Sequence, residues 1–353
     1  MRITTVIGAR PQFIKAAPVS RALRRAHQER LLHTGQHYDP MMSAVFFDEL
    51  GIPAPDVTLH VGSATHGAQT GRMLEAIEQD LLQQRPDAVM VYGDTNSTLA
   101  GALAAAKLNI PLIHVEAGLR SFVRDMPEEI NRVLTDRLSA LCCCPSETAR
   151  LHLAAEGISK GVVVVGDVML DALMETSARV DAAPRLAAWG VQSKAYTLAT
   201  VHRAANTDTP RQLEAILAGF AASPRPILWP MHPRTRDVLA HSPFAVPPTV
   251  RVIEPLGYLD LVAALTHAHS VATDSGGLQK EAYWLGVPCL TLRAETEWVE
   301  TVDSGWNQLV DADAARITAG LQALTVPTSA RDAFGSVGAS LRVVTAIEQM
   351  GQH

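Results

Sequence analysis

Four short segments gather the acids, cations and glycines of this chain into patterns that can do chemistry. Gly93-Asp94-Thr95-Asn96, His114-Val115-Glu116-Ala117-Gly118-Leu119-Arg120 and Met126-Pro127-Glu128-Glu129-Ile130-Asn131-Arg132 lie in its first half. Thr273-Asp274-Ser275-Gly276-Gly277-Leu278-Gln279-Lys280-Glu281 lies in its second. The first three supply carboxylates and cations for proton transfer. The fourth supplies a helix N-terminus, whose backbone N–H groups suit a phosphate. Together they point to a cleft between two lobes, holding a phosphorylated substrate beside paired acid/base groups.

Asp94 and Glu116 each follow a strand and stand one strand–helix unit apart, so both can reach one crevice. Partly buried carboxylates that approach each other have their pKa values split, giving one acid and one base. The plainer reading of Asp94 is a cap for the helix that starts near Ser97. Pro127 fits the first turn of a helix, which sets Glu128 and Arg132 at i,i+4 on one face; an ordinary surface ion pair is the alternative. Glu129 should point elsewhere. Gly8-Ala9-Arg10-Pro11-Gln12-Phe13-Ile14-Lys15 follows the first strand, and Arg10 and Lys15 can face an anion there or stand solvated at a helix start. His202 and His232 end successive strands of the second half and can face a crevice. Ser275-Gly276-Gly277 opens the helix carrying Glu281, where a diphosphate can meet the positive helix end and Glu281 can accept ribose hydroxyls.

The elements that must position these groups alternate. Short β-branched apolar runs at 3–7, 88–92, 112–115, 162–165, 196–201, 227–230, 250–253, 270–273 and 288–292 are separated by stretches of helical periodicity such as 97–108, 212–221 and 278–285. Strand–helix alternation with near-continuously apolar strands means parallel sheets covered on both faces. The pattern pauses over 176–194, with a parallel-sheet unit on each side. The expected organisation is an α/β chain of two Rossmann-like domains facing a cleft, 1–168 and 169–340, with a last helix in 341–353 packing back on the first. Open parallel sheets hold ligands beyond the carboxyl ends of their strands, and the quoted segments fall there.

At 353 residues, with 47% hydrophobic and 19% charged residues, the chain is ordinary globular material for about two domains. A net charge of −6 without a basic stripe gives nucleic acid no electrostatic footprint. The opening Met1–Gly8 run reads as a strand and a loop rather than a signal peptide, and no run approaches the roughly 20 apolar residues of a membrane span. Cys142, Cys143 and Cys144 in a row, with Cys289 far away, lack the spacing of a zinc site and read as small buried residues of a core strand. No motif for a metal or redox cofactor appears, so a soluble cytoplasmic protein without disulfides or cofactors is expected.

These motifs, in this order and over essentially the whole chain, resemble the non-hydrolysing UDP-N-acetylglucosamine 2-epimerases. The resemblance implies the glycosyltransferase-B architecture, with UDP held mainly by the C-terminal domain, and a homodimer. It places Arg10, Lys15, Asp94, Glu116, Glu128, Arg132 and His202 around the reacting sugar, and Ser275, Gly276 and Glu281 on the nucleotide. The family eliminates UDP anti across C1–C2 to an enzyme-bound 2-acetamidoglucal, then adds it back with C2 protonated from the opposite face, supplying precursors of surface polysaccharide. That chemistry needs a base on one face of C2, an acid on the other, and cations at the departing diphosphate.

Three segments depart from the family pattern. His202-Arg203-Ala204-Ala205-Asn206 lacks a glutamate at Ala205, Phe334-Gly335-Ser336-Val337-Gly338 replaces a Tyr-Gly-Asp-Gly type of segment, and Thr296-Glu297-Trp298-Val299-Glu300 replaces Thr-Glu-Arg-Pro-Glu. The last, with Ala9-Arg10-Pro11-Gln12-Phe13, looks more like the branch acting on UDP-2,3-diacetamido-2,3-dideoxy-glucuronate. For that substrate Arg124 is an available cation for the C6 carboxylate and Trp298 an available wall near C3, though Arg124 can equally be solvated and Trp298 core. Gln36-His37-Tyr38 also departs from Gln-His-Arg. A glycosyltransferase of the same fold and a non-catalytic sugar-nucleotide sensor are the rival readings; the first would not gather acids and bases around C2, and the second would not keep the carboxylates.

Overall fold

Strands buried on both faces carry little but apolar or small side chains, and the runs expected from composition form strands in the structure, a computed structural model that describes residues 1–36 and 51–351. His37 and Tyr38 lie outside the described residues, as does the side chain of Arg10. The chain divides into two units, Met1–Met174 with Phe334–His353, and Glu175–Ala333.

The first unit is built on β1 (Arg2–Ile7), β2 (Gln28–His33), β3 (Val57–Thr58), β4 (Ala88–Tyr92), β5 (Leu112–Val115), β6 (Leu141–Cys144) and β7 (Val162–Val164). All neighbours pair in parallel, in the order β3-β2-β1-β4-β5-β6-β7. Every residue of β4, β5 and β6 is buried, as two-sided helical cover requires. Cys142, Cys143 and Cys144 are core residues of β6, as their run predicts, and burial pushes their thiols well up.

The second unit carries β8 (Thr197–Thr200), β9 (Ile227–Pro230), β10 (Val250–Ile253), β11 (Ser270–Thr273), β12 (Cys289–Thr291) and β13 (Asn307–Leu309). They run parallel in the order β10-β9-β8-β11-β12-β13. Both orders reverse at one place, between β1 and β4 and between β8 and β11. At such a switch point the loops leaving adjacent strands diverge and open a crevice at their carboxyl ends.

β2 and β13 do not announce themselves in the composition, because they are polar. In β2, Glu29 is held by the hydroxyl of Thr5 at 2.8 Å and by Arg24 Nε at 2.8 Å, so its charge is matched within the unit. The expected division near 168 falls within the helix Val168–Ser177, where no change of composition marks it. The last helix, Ala339–Met350, belongs to the first unit and packs on the helix Arg10–Leu23 and on β6. Its N-cap is Gly338 at φ 96°, which has no side chain to satisfy the first N–H groups. Asp171 does so from a distant part of the chain, accepting the N–H of Gly338 at 2.6 Å and of Ser340 at 2.8 Å. The departing segment Phe334–Gly338 thus forms the return into the first unit, with Phe334 buried and Arg342 Nε donating to the Val165 carbonyl at 2.6 Å. Among the described residues no helix is long and apolar enough to cross a membrane.

Candidate active site

In the first unit the site is assembled at the ends of β1, β4 and β5. After β1 the chain turns at Gly8, where a Cβ would lie 2.0 Å from Thr34 Oγ1 and 2.3 Å from Ser97 Oγ, so only glycine fits. Gln12 then ties this turn to the next strand. Its Oε1 accepts the N–H groups of Gly8 and Ala9 at 2.8 and 3.0 Å, while its Nε2 donates to the Tyr92 carbonyl at 2.9 Å and to Thr98 Oγ1 at 3.0 Å. The helix Arg10–Leu23 starts here with Pro11 in its first turn. Lys15, one turn in and 8% exposed, places its ammonium on Oε2 of Glu116.

β4 ends at Gly93 (φ 60°), whose missing Cβ would lie 3.2 Å from Glu116 Oε2 and 3.3 Å from Lys15 Nζ. The turn that carries Asp94 therefore lies directly against the Lys15–Glu116 pair. Asp94 does not cap the following helix, Asn96–Lys107. Thr95 does, its hydroxyl accepting the Thr98 N–H at 3.3 Å while Thr98 Oγ1 accepts the Thr95 N–H at 3.1 Å. The Asp94 carboxylate pairs instead with Arg132 Nη2, and its carbonyl accepts Asn131 Nδ2 at 2.8 Å.

β5 ends at Glu116, 7% exposed, with φ 72°. A bulky residue in the left-handed region costs of order 1–3 kcal/mol and is held only where the surroundings over-determine it. Here the N–H groups of Glu116 and Ala117 both donate to the Cys143 carbonyl at 3.1 Å. Two residues on, Gly118 (φ 83°) passes so close to Ala149 that a Cβ would lie 2.4 Å from its carbonyl oxygen.

The helix Pro127–Leu138 presents a different face from the one its i,i+4 spacing suggests. Glu129, expected to point away, is 7% exposed and lies 3.0 Å from Arg132 Nη1. It also accepts the Ser121 N–H at 2.9 Å, the Ser121 hydroxyl at 3.0 Å and the Phe122 N–H at 3.1 Å. Glu128 is exposed on the first turn. The reason is local: the loop before this helix turns at Phe122 with φ 60°, and Glu129 accepts the N–H groups that this turn leaves unpaired within the loop.

Asp136, on the same helix, was not signalled by the segments' chemistry, although Glu129, Arg132 and Asp136 fall at helical spacing. It joins two of the site's turns. Its Oδ1 is 2.7 Å from His114 Nδ1, and His114 Nε2 is 2.8 Å from the Gly93 carbonyl. Its Oδ2 accepts Arg120 Nη1 at 2.7 Å and the Gly118 N–H at 3.1 Å. Burial pushes the Asp136 carboxyl up, but His114 and Arg120 outweigh burial and hold it below the usual range. Arg120 in turn forks onto Glu156 at 2.6 and 2.9 Å.

In the second unit the ends of β8 and β11 meet through Asp274. Fully buried, it accepts the His202 N–H at 3.0 Å, the Arg203 N–H at 3.0 Å and Asn206 Nδ2 at 3.1 Å, with His202 Nδ1 3.3 Å away. The lost glutamate at Ala205 is an exposed position, and Asn206 beside it keeps its anchoring bonds. His232, at the end of β9, has its ring 6.3 Å from that of His202, and its Nδ1 accepts the Arg234 N–H at 3.2 Å as the cap of the helix Pro233–Ala240.

Ser275 is the N-cap of the helix Gly276–Leu285 and makes no side-chain cap bond. A Cβ on Gly276 would lie 2.4 Å from Glu297 Oε1 and 3.3 Å from Trp298 Nε1, so these two side chains leave room only for glycine at the first residue of this helix. Arg293 Nη1 holds Glu297 at 3.0 Å, and Thr296 Oγ1 donates to Gln279 Oε1 at 2.6 Å. Trp298 is buried, with the Lys280 ammonium 3.7 Å over its ring, which makes it core rather than wall. Arg124 is exposed. Glu281, 3% exposed, accepts the Tyr258 hydroxyl on Oε1 at 3.0 Å.

The structure thus brings Lys15, Asp94, Glu116 and Arg132 together in the first unit, and His202 and His232 in the second. A family model described as UDP-N-acetylglucosamine 2-epimerase matches residues 21–348. A UDP-N-acetylglucosamine 2-epimerase homolog of Methanococcus maripaludis is 48% identical over 99% of this chain and 100% of its own. The UDP-2,3-diacetamido-2,3-dideoxy-D-glucuronate 2-epimerase of Pseudomonas aeruginosa is also 48% identical, over 88% of this chain and 89% of its own. Among solved structures, the Methanocaldococcus jannaschii UDP-GlcNAc 2-epimerase in complex with UDP-GlcNAc and UDP is similar with a TM-score of 0.89 and 39% identity, covering 99% of this chain and 100% of that one.

Proposed function

The chain belongs to the UDP-N-acetylglucosamine 2-epimerase family, and on that premise we propose that it interconverts the C2 epimers of a UDP-2-acetamido sugar without hydrolysing it, in the manner of UDP-GlcNAc and UDP-ManNAc. It is an isomerase, and its two parallel-sheet units are of the glycosyltransferase-B type. The observation that carries the finer reading is the contact of the Gly93-Asp94 turn with the buried Lys15–Glu116 pair, beside Asp94–Arg132. Two carboxylates, each paired with a cation and set at adjacent strand ends, suit removal of a proton from one face of C2 and its return on the other.

In this mechanism one carboxylate takes the C2 proton while the C1–O bond breaks. The C–H electron pair forms the C1=C2 bond of a 2-acetamidoglucal, and the C1–O pair leaves on UDP. An acid then protonates C2 from the opposite face as UDP oxygen re-forms the bond to C1. Asp94, Glu116 and Glu128 are the acid/base groups. Arg10, Lys15, Arg132 and His202, with His232, offset the charge of the leaving diphosphate. Ser275, Gly276 and Gly277 present helix N–H groups to the phosphates, and Glu281 takes the ribose hydroxyls. The biological setting supported by the family resemblance is synthesis of surface polysaccharide precursors by a cytoplasmic homodimer.

The test is conversion in deuterated water. Product should carry deuterium at C2, and the diphosphate bridge oxygen should undergo positional isotope exchange. An epimer formed without C1–O cleavage would refute the mechanism. A second substrate, the diacetamido uronate, is favoured by the Ala9–Phe13 and Thr296–Glu300 segments and by the likeness to the Pseudomonas aeruginosa relative. Assays with each UDP-sugar decide between them: the uronate reading requires that Arg124→Ala raise KM for the uronate far more than for UDP-GlcNAc.

A further inference from the structure

A carboxylate that is to receive a vicinal diol must be charged and held in one rotamer, because each of its oxygens has to meet one O–H. Glu281 sits on the second turn of the helix Gly276–Leu285, almost out of solvent. A buried carboxylate keeps its charge only if hydrogen-bond donors replace the lost water. The phenol of Tyr258 supplies one such donor, 3.0 Å from Oε1.

Tyr258 is itself closely constrained. It opens the helix Tyr258–Thr266, whose N-cap is Gly257, and this helix packs on Gly276–Leu285. Its ring is among the largest fully buried side chains of the chain. The phenol oxygen therefore cannot swing away from Glu281 without repacking the core between the two helices, and a hydrogen bond to a charged acceptor is of the stronger kind.

From this geometry we infer that Tyr258 is the positioning residue for nucleotide recognition, aiming the Glu281 carboxylate at the ribose hydroxyls through its hydrogen bond to Oε1. The inference rests on the reading that the second unit takes UDP with Glu281 at the ribose. Tyr258 acts through Glu281, so its effect should exist only for a nucleotide that has hydroxyls to offer.

The experiment compares binding of UDP and of 2′,3′-dideoxyuridine 5′-diphosphate to the full chain and to Tyr258→Phe, by calorimetry. The substitution removes one oxygen and leaves the ring in place; its thermal unfolding is recorded alongside. Wild type should bind UDP more tightly than the dideoxy nucleotide. Tyr258→Phe should weaken UDP about tenfold, the scale of a hydrogen bond to a charged group, and leave the dideoxy nucleotide within about twofold. Equal weakening of both nucleotides would mean a general loss of structure and overturn the assignment, as would unchanged UDP binding in a wild type that does discriminate. If wild type bound the two nucleotides equally, the ribose reading of Glu281 would be the part that fails.

Discussion

Lys15 and Glu116 meet as a buried ion pair although they stand 101 positions apart in the sequence. Lys15 comes from the first turns of the helix after β1 and Glu116 from the end of β5, with the Gly93 turn of β4 between them. Removing one partner of such a pair leaves a charge buried without its counterion, which commonly costs about 3–5 kcal/mol.

Shape-preserving loss of each proposed acid or base should abolish most turnover. Asp94→Asn, Glu116→Gln and Glu128→Gln should each lower kcat by roughly 10²–10⁴ with UDP affinity nearly unchanged, because the nucleotide contacts are expected in the other unit. Steady-state kinetics with calorimetry separates the two effects. Near-normal turnover in all three would leave these carboxylates a purely structural role.

Glu128 and Glu129 are adjacent in sequence and should behave oppositely. Glu129→Ala strips the acceptor from the Ser121 and Phe122 N–H groups and a partner from Arg132, so denaturant unfolding should show a loss of about 1–3 kcal/mol. Glu128→Gln, at an exposed position, should leave the unfolding free energy within about 0.5 kcal/mol while turnover falls. Equal stability of the two variants would contradict the buried role of Glu129.

Glu281→Ala should weaken UDP binding by about 1–3 kcal/mol, the scale for hydrogen bonds to a charged group. Calorimetry reads this directly, and unchanged affinity would move the nucleotide elsewhere.

Asp136 should tie stability to acid pH. Its carboxyl is held below its ordinary value of 3.8 by His114 and Arg120, against the opposing effect of burial. Below that value the unfolded chain takes up a proton that the folded chain still refuses. The stabilisation is therefore complete above about pH 3.8, and is lost progressively as pH falls through the lower folded value. Asp136→Asn should be less stable at neutral pH, and its unfolding free energy should fall less steeply than that of wild type on acidification below pH 3.8. Parallel curves for the two proteins would remove Asp136 from the account.

The sequence by itself determined that this is a two-unit parallel α/β protein and which strand-end turns hold its clustered acids, cations and glycines. Strands such as β4 and β11 are buried along their whole length, so their composition announces them, and helix starts are marked by Pro11, Pro127 and the Ser275 glycines. Tertiary structure alone decided what each carboxylate meets. Asp94 was the cap the sequence offered, but Thr95 takes that place and Arg132, from a helix further along the chain, pairs with Asp94. The i,i+4 spacing in the Pro127–Leu138 helix set Glu128 beside Arg132 and turned Glu129 away, whereas Glu129 is the one buried, on Arg132 and the N–H groups of Ser121 and Phe122. Asp136 becomes visible only once His114, Gly118 and Arg120 converge on it, and Trp298 shows itself as core only beneath Lys280. Local periodicity sets the faces an element can offer; the partner that approaches from elsewhere in the chain, and the cost of leaving its polar groups unpaired, sets which face is used.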